Sequence, residues 1–136
     1  MVGYAAPRAD VTERPEATPA SIGAGFRAVF RIFQDWALRP EDAMILLGQP
    51  ARSTFYKWRH GEIGAVPSDT VRRLSYLLGI YKAIQLLTSD AAMADRWVRE
   101  PNLAFGGQSA LQRMLGGDIV DLAAVRAYLD GVRGVW

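Results

Sequence analysis

Apolar side chains recur at helical spacing along most of this 136-residue chain. The longest such stretch covers residues 67–88 and carries two apolar stripes. One stripe consists of Val71, Leu74, Leu78 and Tyr81, and the other of Leu77, Ile80, Ile84 and Leu87. A helix on a domain surface needs only one stripe, so two stripes predict packing on two sides. The stretch is then either the central helix of one small bundle or a helix shared by two modules.

Before this central helix, the pattern predicts three helices. The first begins at Thr18, an N-cap followed by proline, and runs to about Ala37. Its inward stripe consists of Ile22, Phe26, Val29, Phe30, Phe33 and Trp36. Two short helices follow, from Pro40 to a stop at Gly48 and from about Pro50 to Arg59. Ser68 is the expected N-cap of the central helix.

After the central helix, Ser89 is expected to cap a helix that ends near Glu100, ahead of a proline. Ser109 and Gln112 form a capping box for a short helix, and Asp118 caps the last helix. The inward stripe of that last helix consists of Leu122, Val125, Leu129 and Val132. No segment alternates long enough to form a strand, so the predicted fold is all-α.

Composition limits the kinds of site and the cellular location that we expect. The chain has no cysteine and a single histidine, His60, which argues against disulfides and against a metal site. No apolar run has the length of a membrane span, and the N-terminus lacks the pattern of a signal peptide. We therefore expect a cytoplasmic protein with a mobile tail at 1–17. The expected units are 18–66, a shared helix at 67–88, and 89–136.

The net charge of +2 is unevenly distributed along the chain. Residues 50–75 hold five basic side chains against two acidic ones, whereas the remaining segments are balanced or slightly acidic. The five basic residues are Arg52, Lys57, Arg59, Arg72 and Arg73. This pattern predicts a local basic patch.

Two short helices joined by a glycine turn are the sequence form of a helix-turn-helix. On the second helix, Phe55 and Trp58 can face the core, which leaves polar side chains pointing outwards. Arginine, lysine and hydroxyl side chains suit phosphate and base-edge contacts. The candidate DNA-binding residues are Arg52, Ser53, Thr54, Lys57 and Arg59. The alternative is a helical hairpin with a solvated basic face.

This stretch resembles the Xre/Cro-type helix-turn-helix, in which a leucine-glycine pair precedes serine, arginine, threonine, an aromatic residue and tryptophan. Between Gly48 and Trp58 the chain has one residue more than the usual spacing, with Pro50 in the turn. The resemblance implies promoter DNA as a partner, and the longer turn leaves room for a different tilt of the second helix.

The segment after the central helix is similar to the Xre/MbcA/ParS toxin-binding domain of antitoxins that neutralise RES-domain toxins. The similarity rests on Trp97, Pro101-Asn102, Phe105-Gly106-Gly107, Ser109, Leu111, Gly116-Gly117, Val125, Tyr128-Leu129 and Gly131. Where the family has a proline after the serine, this chain has Ala110. The resemblance implies a RES-domain toxin that consumes NAD or transfers its ADP-ribose, whose active-site cleft the antitoxin covers. It also implies a homodimer within the complex, without a cofactor of its own.

The candidate toxin-binding residues are Trp97, Asn102, Phe105, Leu111, Met114, Tyr128, Arg133 and Trp136. The glycine-rich end, YLDGVRGVW, finishes in a tryptophan, and Trp, Tyr and Arg are frequent interface anchors. We expect this end to enter or cover the toxin cleft. The alternative is that Val135 and Trp136 fold back onto their own domain.

An enzyme is the least favoured class, because the chain lacks cysteine, paired carboxylates on one face and a glycine-rich phosphate loop after a strand. Two non-enzymatic alternatives to the antitoxin stay open. One is a free-standing helix-turn-helix repressor. The other is an adaptor that binds only protein.

Overall fold

Helices make up almost all of the regular structure in the computed structural model, which describes residues 18–134. The expected tail at 1–17, Val135 and Trp136 lie outside the described residues. The helices are α1 (Pro19–Asp35), α2 (Pro40–Leu46), α3 (Arg52–Arg59), α4 (Ser68–Gln85), α5 (Ala91–Trp97), α6 (Ala110–Met114) and α7 (Ile119–Gly134), with a 3₁₀ turn at Leu103–Phe105. Pairing of β type between residues 18 and 134 is limited to one isolated bridge, so the all-α prediction is confirmed.

Local capping chemistry sets several helix ends as expected. The hydroxyl of Thr18 accepts from the backbone N–H of Ser21, whose own side chain completes a capping box. Ser109 and Gln112 make the reciprocal pair at the start of α6, at 3.0 and 2.8 Å. The carboxylate of Asp118 accepts from the N–H of Val120 at 3.0 Å, as an N-cap does.

Two predicted caps and three helix ends are wrong by one to three residues. Helix α3 begins at Arg52 and not near Pro50, and α5 ends at Trp97 and not near Glu100. Helix α4 begins at Ser68 itself, with Pro67 in the N-cap position and no side-chain cap. Helix α5 is capped by Asp90 instead of Ser89, because the Asp90 carboxylate reaches the N–H groups of two first-turn residues, at 3.0 and 3.3 Å. Helix α1 ends at Asp35, and Ala37 adopts a left-handed φ of 55°.

Helix α4 lies in the middle of the molecule. It packs against α1 on one side and against α7 on the other, with a smaller contact to α5. Leu77 and Ile80 are fully buried, and one hydrophobic core continues through both halves of the described chain. The predicted two-sided packing is therefore confirmed, whereas the division into units at 18–66, 67–88 and 89–136 stays a prediction.

The three long helices run in the same direction. The hydroxyl of Tyr81, late in α4, donates at 2.8 Å to Asp35, at the end of α1. Gly79, midway along α4, lies under the guanidinium of Arg126, midway along α7. The ends of α4 and α7 also line one shallow depression. The chain returns to the starting end twice, first through α2 and α3 and then through α5, the 3₁₀ turn and α6.

Two arginines bind the helix ends at which the chain turns back. Arg99, just after α5, donates to the backbone carbonyl of Trp36 at 2.7 Å and to that of Ala37 at 3.0 Å. These carbonyls end α1 and have no partner further along the helix. Arg73, on α4, plays the same part at the end of α2. Because a cation is favoured at a helix C-terminus, each arginine stabilises the helix end that it joins to a distant segment.

Candidate functional site

The exposed face of α3 carries the five predicted DNA-binding side chains. Phe55 and Trp58 point into the core, with 1% and 4% of their surfaces exposed. Four of the five candidates are therefore exposed and one is half-buried: Arg52, Ser53, Lys57 and Arg59 are exposed, and Thr54 is half-buried. The guanidinium carbon of Arg52 lies 5.6 Å from the Tyr56 ring centroid, within the range of a cation–π contact.

The turn between α2 and α3 uses two left-handed residues. Gly48 has a φ of 92° and Gln49 a φ of 60°. The N–H of Gln49 donates to the carbonyl of Met44 at 2.8 Å, and that of Gly48 to Ile45 at 3.1 Å, which together form a Schellman motif. Helix α3 then begins at Arg52. The longer turn is therefore a Schellman helix end, completed by Gln49, followed by two linking residues, Pro50 and Ala51.

Helix α3 also ends in a defined way. The N–H of Glu62 donates to the carbonyl of Lys57 at 2.8 Å, and Gly61 has a φ of 88°. His60 places Nδ1 2.8 Å from the carbonyl oxygen of Tyr56, in the last turn. The single histidine thus stabilises a helix end, as its position in the sequence suggests.

Arg73 does not belong to the basic patch that the 50–75 charge excess predicts. Only 8% of its side chain is exposed. Its Nε donates to Asp69 at 2.8 Å, and its two terminal nitrogens donate to the carbonyls of Leu46 and Gly117 at 3.4 and 2.9 Å. The segment therefore supplies one cation fewer to the surface than its composition indicates.

Two arginines from α1 lie close to the C-terminal end of α3. Arg27 and Arg31 are exposed, and together with Arg59 they line one groove between α1 and the end of α3. Sequence reasoning missed them because α1 as a whole lies in a segment of slightly negative charge. Their spacing of four residues was the available signal, since it puts both on the same face of a helix.

Three predicted toxin-binding side chains form an aromatic stack in the C-terminal half. The rings of Trp97 and Tyr128 lie 6.3 Å apart and nearly parallel, and the Phe105 ring meets Tyr128 edge-on at 5.2 Å. Trp97 and Tyr128 are half-buried, whereas Phe105 is 8% exposed. Trp97 and Tyr128 therefore offer partial surface to a partner, and Phe105 supports them from below.

The other candidates in this half divide by burial. Leu111 and Met114 are 4% and 1% exposed, so in this structure they pack within the core and offer no contact surface. Asn102 holds the 3₁₀ turn, because its side chain accepts from the N–H of Ala104 at 2.9 Å. The prediction did not include Leu103, which this turn leaves 93% exposed.

Arg133 lies exposed in the last turn of α7, beside Leu86 and Leu87 at the end of α4. The predicted tail anchor Trp136 lies outside the described residues. Between residues 18 and 134, no cluster of histidine and acidic side chains is arranged to hold a metal ion. None of the helices in that range combines the length and apolar character that crossing a membrane requires.

Comparison with known proteins assigns both halves of the chain. Residues 15–79 match the antitoxin Xre-like helix-turn-helix domain, and residues 82–134 match the antitoxin Xre/MbcA/ParS C-terminal toxin-binding domain. The chain is also 47% identical over 120 residues to the uncharacterized protein y4oB of Sinorhizobium fredii (strain NBRC 101917 / NGR234). That alignment covers 88% of this chain and 92% of y4oB. No solved structure matches the chain.

Proposed function

Because the chain belongs to the antitoxins that join an Xre-like helix-turn-helix domain to an Xre/MbcA/ParS toxin-binding domain, we propose that it neutralises a RES-domain toxin by covering the toxin's active-site cleft. The match of residues 82–134 to a toxin-binding domain carries the proposal. On this view the chain acts by binding, and the toxin supplies the chemistry on NAD.

The exposed end of α7 is the proposed inhibitory element. Arg133 is exposed and can pair with a carboxylate in a cleft, and Trp136 can anchor the contact. The broader contact surface consists of the exposed parts of Trp97 and Tyr128, together with Leu103. Hydrogen bonds already order the backbone of the turn that carries Leu103, so binding has to order only its side chain, which favours affinity.

Co-expression of the chain with its proposed RES-domain toxin tests this function. We expect the full chain to protect growth and preserve the cellular NAD level. A chain that lacks residues 132–136 should stay folded, because only the half-buried Val132 leaves the inward stripe of α7. It should still bind the toxin at high concentration but fail to protect.

A single substitution sharpens this test. Arg133→Ala should weaken protection, whereas Arg96→Ala should not, since Arg96 is an exposed arginine in the last turn of a different helix. Full protection by the truncated chain at matched expression would show that the end of α7 does not carry inhibition. Absence of any complex between the full chain and the toxin would overturn the antitoxin proposal itself.

We propose in addition that α3 binds promoter DNA and thereby regulates the chain's own operon, with the protein acting as a homodimer. The exposed basic face of α3 supports this, since a recognition helix presents such side chains to the major groove. Lys57→Glu or Arg59→Glu should weaken binding to the promoter duplex. Lys82→Glu, a matched charge reversal on the exposed side of α4, should not. If all three variants bound the promoter duplex with the affinity of the wild type, α3 would not be part of the DNA interface.

A further inference from the structure

A groove of about 410 Å³ lies between α1 and the C-terminal end of α3. Aromatic rings from both helices contribute to its lining, Phe26 and Phe30 from α1 and Phe55 and Trp58 from α3. These rings also lock the two helices together. Phe26 and Trp58 have centroids 4.8 Å apart, and Phe30 and Phe55 have centroids 5.5 Å apart. Helix α1 therefore has a fixed position relative to the proposed recognition helix.

The charged residues that line this groove are all arginines. They are Arg27, Arg31 and Arg59, and neither aspartate nor glutamate is among the lining residues. In the part of the chain that the structure describes, no salt bridge involves any of the three. The guanidinium groups therefore surround an apolar surface with three positive charges, which fits an anionic partner.

We propose that Arg27 and Arg31, together with Arg59, bind backbone phosphates of the DNA. These phosphates belong to the strand that borders the DNA major groove into which α3 inserts. The inference rests on the proposed DNA binding by α3. Its geometric basis is continuity, since Arg59 belongs both to the exposed face of α3 and to the groove lining. Helix α1 thereby extends the DNA contact beyond the two helices of the helix-turn-helix.

The residue types support phosphate contact over base reading. Arginine presents a planar fork of donors that matches a phosphate group. Contacts of this kind position a protein on the duplex and carry no sequence information. The effect of the two α1 arginines should therefore be the same on any duplex.

The test compares two double variants that remove the same charge. Arg27→Gln/Arg31→Gln changes the groove, whereas Lys82→Gln/Arg96→Gln changes exposed cations of α4 and α5. Binding of the promoter duplex and of an unrelated duplex of equal length is measured over a range of salt concentrations. Loss of two phosphate contacts should reduce the slope of log K against log salt by about 1.8 on both duplexes. The control variant should keep the wild-type slope.

A third variant separates folding from charge. Arg27→Lys/Arg31→Lys keeps both positive charges and should keep most of the salt slope. If the two arginines had only a structural role, the lysine variant would lose DNA binding as the glutamine variant does. An unchanged slope in the glutamine variant would overturn the inference and leave the groove for an acidic peptide. A loss confined to the promoter duplex would also overturn it, because it would indicate base reading. Wild-type protein without salt-dependent DNA binding would instead refute the proposed role of α3.

Discussion

The Nη2 atom of Arg73 donates a hydrogen bond of 2.9 Å to the carbonyl oxygen of Gly117, 44 residues further along the chain. The Nη1 atom of the same side chain reaches the carbonyl of Leu46 at 3.4 Å. One guanidinium thus joins the end of α2, the first half of α4 and the segment that leads into α7. The helix-turn-helix and the C-terminal half are tied together at this point.

Removal of this guanidinium should be costly. Arg73→Met leaves buried or half-buried carbonyls without a donor, and we expect the free energy of unfolding to fall by about 2–4 kcal/mol. Arg72→Met is the matched control, since its side chain is 66% exposed and its nearest carboxylate oxygen lies at 4.0 Å. The control should change the free energy of unfolding by less than about 0.5 kcal/mol. Urea unfolding of both variants provides the measurement, and equal losses would contradict the bracing role.

The central position of α4 makes a second prediction. Leu77 is fully buried where α4 meets its neighbours, so Leu77→Ala should lower the free energy of unfolding by about 2–5 kcal/mol. Because one core continues through both halves, the whole transition should shift as a single cooperative step. Leu86→Ala, at a side chain that is 59% exposed, should have little effect. Two separate thermal transitions, only one of them displaced, would mean that the halves unfold independently.

Two glycines distinguish backbone strain from crowding. Gly48 and Gly61 have φ values of 92° and 88°, and an alanine in the left-handed region costs about 1–2 kcal/mol. A methyl group at Gly48 would also lie 3.1 Å from Arg73 Nε and 3.2 Å from Asp69 Oδ2, whereas one at Gly61 meets nothing within 4 Å. We expect Gly48→Ala to destabilise more than Gly61→Ala in chemical denaturation. The opposite order would show that the Arg73 and Asp69 side chains move away from the new methyl group without loss of free energy of unfolding.

The contact between Tyr81 and Asp35 gives a pH dependence. Burial, and then the hydrogen bond to Asp35, raise the pKa of Tyr81 from 10.0 to about 12. The folded state therefore holds this proton more tightly than the unfolded state does. The resulting stabilisation is complete below pH 10 and is lost as the pH rises from 10 towards 12. Tyr81→Phe should flatten this part of the curve of unfolding free energy against pH. A variant that loses stability as steeply as the wild type would exclude Tyr81 as the cause.

Local sequence signals predicted the helices well, because helix ends depend on neighbouring residues. The Thr18 cap and the Ser109–Gln112 box each involve side chains three residues apart, and both are present. Where two adjacent residues could cap, the signal was ambiguous, and Asp90 took the place that Ser89 was expected to fill. The central helix was recognisable because two-sided burial requires two apolar stripes.

The candidate sites were less predictable, because they depend on which segments meet in space. Charge counted along the chain placed Arg73 on the surface, although carbonyls 27 and 44 residues away enclose it. The same count overlooked Arg27, which joins Arg59 only because α1 packs on α3. Apolar residues of the toxin-binding half could not be sorted into core and surface by type. Leu111, in α6, is buried, whereas Leu103, in the 3₁₀ turn, is exposed.

The common direction of α1, α4 and α7 separates the two proposed binding regions along the molecule. Helix α3 packs on the middle of α1, through Phe26 and Phe30, whereas Arg133 lies at the far end of α7, beside the end of α4. Gly25 of α1 lies beside Leu74 of α4 and Asp35 beside Tyr81, so the middle of α1 is level with the stretch of α4 between Leu74 and Tyr81. Arg133 lies beyond that stretch, beside Leu86. The residues proposed to contact DNA and those proposed to contact the toxin therefore lie on different parts of the described surface. If both proposed functions hold, DNA and toxin use different residues of the chain, and a three-component assembly of promoter, antitoxin and toxin requires no shared contact residue.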